Sequence, residues 1–306
     1  MRKPWIAGVV GAVLAALLLG ACGDPESAPD EAPPRASAPE ASPTTRQRAA
    51  TASPGADTVK PAPEVLYLGD SLAMENQKVL GDFLKDDLDA RYTSAPYSGT
   101  TLCDYLEGTS DRSLVPTKDK AAALVRRLRP DYVVLQFWGN AWDYTPCMDG
   151  ITYDKARTEY FQRYTAATEQ LTEQIANAGG THRPKIVWVL QGPDPFTPDR
   201  IRRVNALYRK QAKASGDLLA DAGKAVSPAS DRYTWTQYLP CTAYEREHDG
   251  HCTQPGRDRT ALHHDEDLLH FCLALTTSKP KPCPVLSPGI TRFARAITRA
   301  IADASP

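Results

Sequence analysis

Residues 65–76 read VLYLGDSLAMEN. An apolar run stops at Gly69-Asp70-Ser71, and the apolar residues that follow, Leu72, Val79, Leu80, Phe83, Leu84 and Leu88, recur at helical spacing. The stretch is read as a buried strand over 64–68, a tight turn, and an amphipathic helix over 72–88. The same alternation continues along the chain. A helical pattern over 118–128 runs into DYVVLQFW at 131–138, a strand apolar on both faces. A long amphipathic helix over 153–178 stops at Gly179-Gly180, and KIVWVLQ at 185–191 is a further buried strand. Helices follow over 198–215 and from Ser287-Pro288-Gly289 to about residue 302. Helices alternating with continuous apolar strands predict an α/β fold: a three-layer α/β/α sandwich around a mainly parallel sheet, in one domain over 64–306. Sites in such sheets form at the carboxyl ends of strands, where Gly69-Asp70-Ser71 and Gly139-Asn140 both fall. The region 227–284 shows little periodicity and holds four cysteines, so it is read as a long disulfide-stapled loop.

The chain has 306 residues, 42% of them hydrophobic, enough for a sizeable core. A formal charge of -1 gives no basic field, which excludes nucleic acid as a first expectation. Arg2 and Lys3 precede an apolar run over 5–19, too short for a membrane span and shaped like a signal-peptide core. Residues 1–21 are therefore expected to be a signal peptide. Leu19-Gly20-Ala21-Cys22 resembles the bacterial lipobox, a resemblance that implies cleavage before Cys22 and lipid on its sulfur. A plain secretory peptide is the alternative, and both readings place the mature chain outside the cytoplasm. With the lipid, it is anchored to the bacterial membrane through Cys22. Residues 22–63 are rich in Pro, Ala, Ser, Thr and Glu and cannot bury enough surface to offset chain entropy, so they are read as a disordered tether.

With Cys22 set aside, Cys103, Cys147, Cys241, Cys252, Cys272 and Cys283 form an even set in an oxidising compartment. Three disulfides are expected. Neighbours along the chain suggest Cys241–Cys252 and Cys272–Cys283, leaving Cys103 for Cys147, with other connectivities open.

A serine hydroxyl is a weak nucleophile until a base takes its proton, and the base needs an acid to fix its tautomer. Among the six histidines, His270 has Asp267 three residues before it, and His248 has Glu245 at the same spacing as a rival. An early Gly-Asp-Ser-Leu after the first strand and a late Asp-x-x-His resemble the SGNH, or GDSL, hydrolases. The resemblance spans residues 64 to 303 and implies a flavodoxin-like sheet with Ser71 as nucleophile, His270 as base and Asp267 as its acid. It also implies an oxyanion site made by the backbone of Ser71, by Gly99 in YSGTTLCD and by Asn140 in FWGNAWD. The family's third motif has glycine where this chain has Trp138, with Gly139 beside Asn140, and an insertion holding Cys272 and Cys283 separates His270 from the last helix. The implied activity is hydrolysis of an acyl ester, an O-acetyl ester among the candidates. The alternatives are O-acyl transfer to or from a cell-wall polysaccharide, and a catalytically inactive binding lipoprotein. GDSLA with SGTTLCD resembles the acyltransferase branch.

An α/β-hydrolase elbow competes, because GDSLA differs from Gly-x-Ser-x-Gly only at its last position. That fold places several strands before its nucleophile, whereas Ser71 follows the first. His248, His251, Cys252, His263 and His264 raise zinc, but no Cys-x-x-Cys or His-Glu-x-x-His spacing appears, and no metal or cofactor is expected. Trp138, Trp142, Tyr144 and Trp235 are read mainly as packing residues, with Trp142 and Tyr144 also candidates for lining the acyl or sugar pocket.

Overall fold

The computed structural model describes residues 62–141, 143–275 and 281–305. The expected signal peptide, Cys22, almost all of the tether, and Trp142 lie outside the described residues.

Five parallel strands form the central sheet: β1 (Glu64–Gly69), β2 (Arg91–Ser94), β3 (Tyr132–Gln136), β4 (Lys185–Val189) and β5 (Leu218–Ala220), in the order β2-β1-β3-β4-β5. The order reverses between β1 and β3, which makes the carboxyl ends of those two strands the switch-point crevice of a flavodoxin-like sheet. β1 pairs with β3 from Val65 opposite Tyr132 to Gly69 opposite Gln136.

Alternate residues of each strand feed two cores, as the pleat requires. Leu66, Leu68, Val133, Leu135, Ile186 and Trp188 pack on one face with helices α2 (Ala121–Leu128), α3 (Arg157–Gly179) and α4 (Pro198–Ser215). Val65, Tyr67, Val134, Val187 and Val189 pack on the other with α1 (Ser71–Leu88) and, after the short α5 (Ala222–Ala225), with the last helix. The three layers expected from the alternation are present. Among the described residues no helix is long and apolar enough to cross a membrane.

Some boundaries differ from the sequence reading. The helix expected from 118 begins at Ala121, because Thr117–Asp119 winds as a 3-10 turn and Lys120 is extended. The helix expected from 153 begins at Arg157, after Ala156, whose backbone is not helical. β2 and β5 escaped the periodicity reading: RYTS is a partly exposed edge and LLA is three residues long. The region 227–284 is more than a loop. It holds the antiparallel pair β6 (Tyr238–Pro240) and β7 (Arg259–Ala261), with α6 (Ala243–Glu247) between them, before α7 (Pro288–Ala304) closes the fold.

The disulfides are Cys103–Cys147, Cys241–Cys252 and Cys272–Cys283. The first closes a separation of 44 residues and each of the others one of 11. By chain entropy these are worth about 4 and about 3 kcal/mol.

Candidate active site

Gly69 carries the turn at the end of β1. A Cβ there would stand 2.2 Å from the Gln136 carbonyl oxygen and 2.4 Å from the Ala73 Cβ, so the β1–β3 pairing and the start of α1 both require glycine. The Gly69 carbonyl accepts from the Tyr97 N–H at 2.9 Å and the Tyr105 hydroxyl at 2.8 Å, which holds the loop after β2 against the turn. Asp70, fully buried, caps α1 by accepting from the Leu72 N–H at 3.0 Å. Its other oxygen accepts from the Trp138 N–H at 2.7 Å and the Asn140 side-chain amide at 3.2 Å, across the β1/β3 crevice. Burial pushes the Asp70 carboxyl up to about 6, against these hydrogen bonds, which lower it.

Ser71 is the first residue of α1, where backbone N–H groups have no intrahelical acceptor and the helix dipole favours negative charge. Its Oγ lies 3.0 Å from His270 Nε2. His270 Nδ1 lies 3.0 Å from Asp267 Oδ2, and Asp267 Oδ1 also accepts from the Leu269 and His270 N–H groups at 3.2 and 3.1 Å. This Asx-type turn explains the three-residue spacing: the backbone folds back on the carboxylate that holds the ring. The arrangement puts the imidazole proton on Nδ1 and leaves Nε2 free to accept the serine proton. Burial works against a charged ring, yet the Asp267 hydrogen bond and the charges of Glu75, Asp267 and Asp70 raise His270 above the ordinary histidine value.

The loop bearing His270 is held from two further sides. His263 Nδ1 lies 2.9 Å from the His270 carbonyl, and the Trp235 indole N–H donates to the Leu268 carbonyl at 3.0 Å. Burial pushes His263 down to about 4, so it stays neutral and serves as a donor over the whole neutral range. From α1, Glu75 accepts the Phe271 N–H at 2.9 Å and the Cys272 N–H at 3.2 Å. Burial pushes Glu75 up to about 7, against the influence of His270 and the two N–H donors.

A carboxyl raised from 4.5 to about 7 contributes stability that is whole below the unfolded value and is lost as pH climbs through the folded one. Glu75→Gln is expected to remove a pH-dependent loss of about 3 kcal/mol between pH 4.5 and 8. Urea titrations at both pH values measure it, and equal pH slopes in the two proteins would oppose the assignment.

Asn140 follows the carboxyl end of β3 as expected and Gly99 lies in the loop after β2, and neither makes a hydrogen bond to Ser71 or His270 among the described residues. Gly99 has φ +75, a conformation that favours glycine, and a Cβ there would crowd the Tyr144 ring at 3.1 Å. The Cys103–Cys147 bridge ties the loop after Gly99 to the loop after Asn140. Asn140 is 4% exposed, with its amide nitrogen directed to Asp70. Tyr144 packs on Gly99, away from the residues that line the cavity beside Ser71.

A cavity of about 280 Å³ opens beside Ser71 and His270, lined further by Glu75, Leu275, Lys281 and the Cys272–Cys283 bridge. The insertion between His270 and α7 thus forms its wall. The rival pair is engaged elsewhere: Glu245 is paired with Arg292 at 2.7 Å, and His248 Nδ1 lies against the Tyr244 carbonyl at 2.8 Å. Cys241, Cys252 and Asp258 lie within ligand distance of one another, but the two sulfurs form a disulfide and supply no thiolate. Trp138 is buried beneath Arg200, whose guanidinium carbon is 4.0 Å from the ring centroid. From sequence Asp70 reads only as part of the Gly-Asp-Ser turn, His263 only as a zinc candidate, and Glu75 as neither a catalytic nor a supporting residue. Glu75 carried a usable signal, since a residue four after Ser71 on the same helix lies on the same face.

No family model matches the chain, and no curated protein matches it. Among solved structures, it is similar to an acetylxylan esterase from Geobacillus stearothermophilus: 13% identity over 78% of this chain and 94% of that one, TM-score 0.42. It is also similar to an inhibitor-bound aryl esterase of M. smegmatis, at 15% identity over 56% and 91%, TM-score 0.37. A third is the periplasmic domain of a lipopolysaccharide acetyltransferase from Salmonella ser. Paratyphi A, at 12% identity over 57% and 72%, TM-score 0.39.

Proposed function

We propose that the chain is a serine esterase of the SGNH type, acting on an acyl ester through Ser71, His270 and Asp267. The observation that carries this is the 3.0 Å contact between Ser71 Oγ and His270 Nε2, made across 199 residues of sequence at a sheet switch point. His270 takes the Ser71 proton as Oγ attacks the ester carbonyl, and Asp267 holds the ring and offsets its charge. The backbone N–H of Ser71, at the start of α1, with the Gly99 N–H and the Asn140 side chain, receives the developing oxyanion. His270 then returns its proton to the leaving alcohol, and water repeats the sequence on the acyl-enzyme.

The cavity, about 280 Å³, lies just below the usual range for ligand pockets, roughly 300–1,000 Å³, which favours a short acyl group such as acetyl. Hydrolysis of p-nitrophenyl acetate against a long-chain ester tests this; preference for the long chain would refute the short-acyl reading. The resemblance of GDSLA and SGTTLCD to polysaccharide acyltransferases supports a second reading, in which a sugar hydroxyl replaces water. Acyl-donor consumption with and without an oligosaccharide acceptor separates the two: acylated sugar marks a transferase, free acid alone an esterase.

Asn140→Ala is expected to lower kcat about 100 to 1000-fold, with esterase activity still measurable. An unchanged kcat would remove Asn140 from the oxyanion site.

Export and lipidation at Cys22 belong to the same proposal, supported by three disulfides that suit an oxidising compartment. Mass spectrometry of the mature amino terminus checks it, and a free Cys22 thiol would oppose it.

A further inference from the structure

We propose that Glu75 is a positioning residue for His270: it fastens the histidine loop to the helix that bears Ser71 and faces the imidazolium formed during turnover. The inference rests on the serine-hydrolase reading above.

Glu75 binds both limbs of the disulfide-closed insertion. Its carboxylate accepts from Phe271 and Cys272, immediately after His270, while its main-chain carbonyl accepts from the Cys283 N–H at 3.1 Å. One helical turn separates it from Ser71, so α1 sets the spacing of nucleophile and base through a single rigid element. The residue is 5% exposed, and among the described residues no Lys or Arg forms an ion pair with it. A buried carboxylate without a paired cation is costly, and filling the core does not call for one. The titratable groups near it are Tyr67 from β1 and Asp267 and His270 from the loop, and it lines the cavity with Ser71 and Lys281. When the Ser71 proton reaches His270, Glu75 stands with Asp267 and Asp70 as the negative charge around the ring.

The test is a pair of variants, Glu75→Gln and Glu75→Asp, in the full chain. It reads kcat and KM for p-nitrophenyl acetate across pH and the His270 ring titration by NMR. Glu75→Gln is expected to lower kcat roughly 10 to 100-fold with KM changed less than about threefold. It should also move the His270 midpoint, and the acid limb of kcat/KM with it, down by about half a pH unit or more. Glu75→Asp is expected to restore part of the midpoint. An unchanged His270 midpoint in Glu75→Gln, or an unchanged kcat, overturns the proposal. The unmodified protein gives an independent reading if neither variant folds: His270 should titrate in two coupled steps, shared with Glu75, and a single simple step counts against it. The NMR readout needs no turnover, so its failure is distinguishable from failure of the serine-hydrolase reading.

Discussion

Ser71→Ala is expected to reduce ester turnover by at least about 10⁴-fold and to abolish labelling by a fluorophosphonate probe, while the protein keeps its fold. The Ser71 hydroxyl has one hydrogen-bond contact among the described residues, to His270, and the residue is only partly buried. Loss of a single such bond at a helix start changes stability by about 1 kcal/mol. A small residual rate should persist, because the backbone N–H of residue 71 and the neighbouring donors still polarise a bound ester. Active-site titration with the probe, beside a urea titration, reads both halves. Full esterase activity in the variant would refute the nucleophile and, with it, the proposed function.

Asp267→Asn is expected to lower kcat by about 10⁴-fold with the fold retained. Asp267 does three jobs in one turn, accepting from two backbone N–H groups and from the imidazole. An amide at this position can still accept through its oxygen. If its nitrogen meets the ring instead, it donates to Nδ1 and forces the proton onto Nε2, the atom that must accept from Ser71. The charge that favours the imidazolium is also lost, so any remaining acid limb in kcat/KM should move to lower pH, since Asp267 helps hold His270 above its ordinary value. A variant with wild-type kcat and an unmoved acid limb would show that Asp267 is a turn residue only.

The two predictions differ in what they ask of the surroundings. Ser71 needs only its own position at the end of β1, which Gly69 enforces through contact with Gln136. Asp267 and His270 need a loop whose shape is supplied by three further residues. His263 and Trp235 hold it from the β6–β7 side, and Glu75 holds it from α1. The long segment 227–284 therefore acts as the support of the proposed base, and two disulfides cross-link it internally. These supports fix the distance between Ser71 and His270.

The chain's own pattern determined the layers and the place of Ser71, the proposed nucleophile. Continuous apolar strands such as YVVLQ can be covered only on both faces, and GDS between a strand and a helix leaves the serine at a strand's carboxyl end. Asp-x-x-His was legible for the same local reason, because three residues suffice for a carboxylate to reach back to its own turn. The partner of each group was decided by tertiary structure alone. β2 and β5 are recognised as strands only through their ladders to β1 and β4, being too short or too exposed to carry a period. Asp70 reads as a turn residue until β3 brings Trp138 and Asn140 to it, and Glu75 reads as a helix-surface acid until the loop after His270 closes over it. Periodicity records which side of an element is buried, whereas the identity of what buries it depends on contacts between residues as many as 199 positions apart.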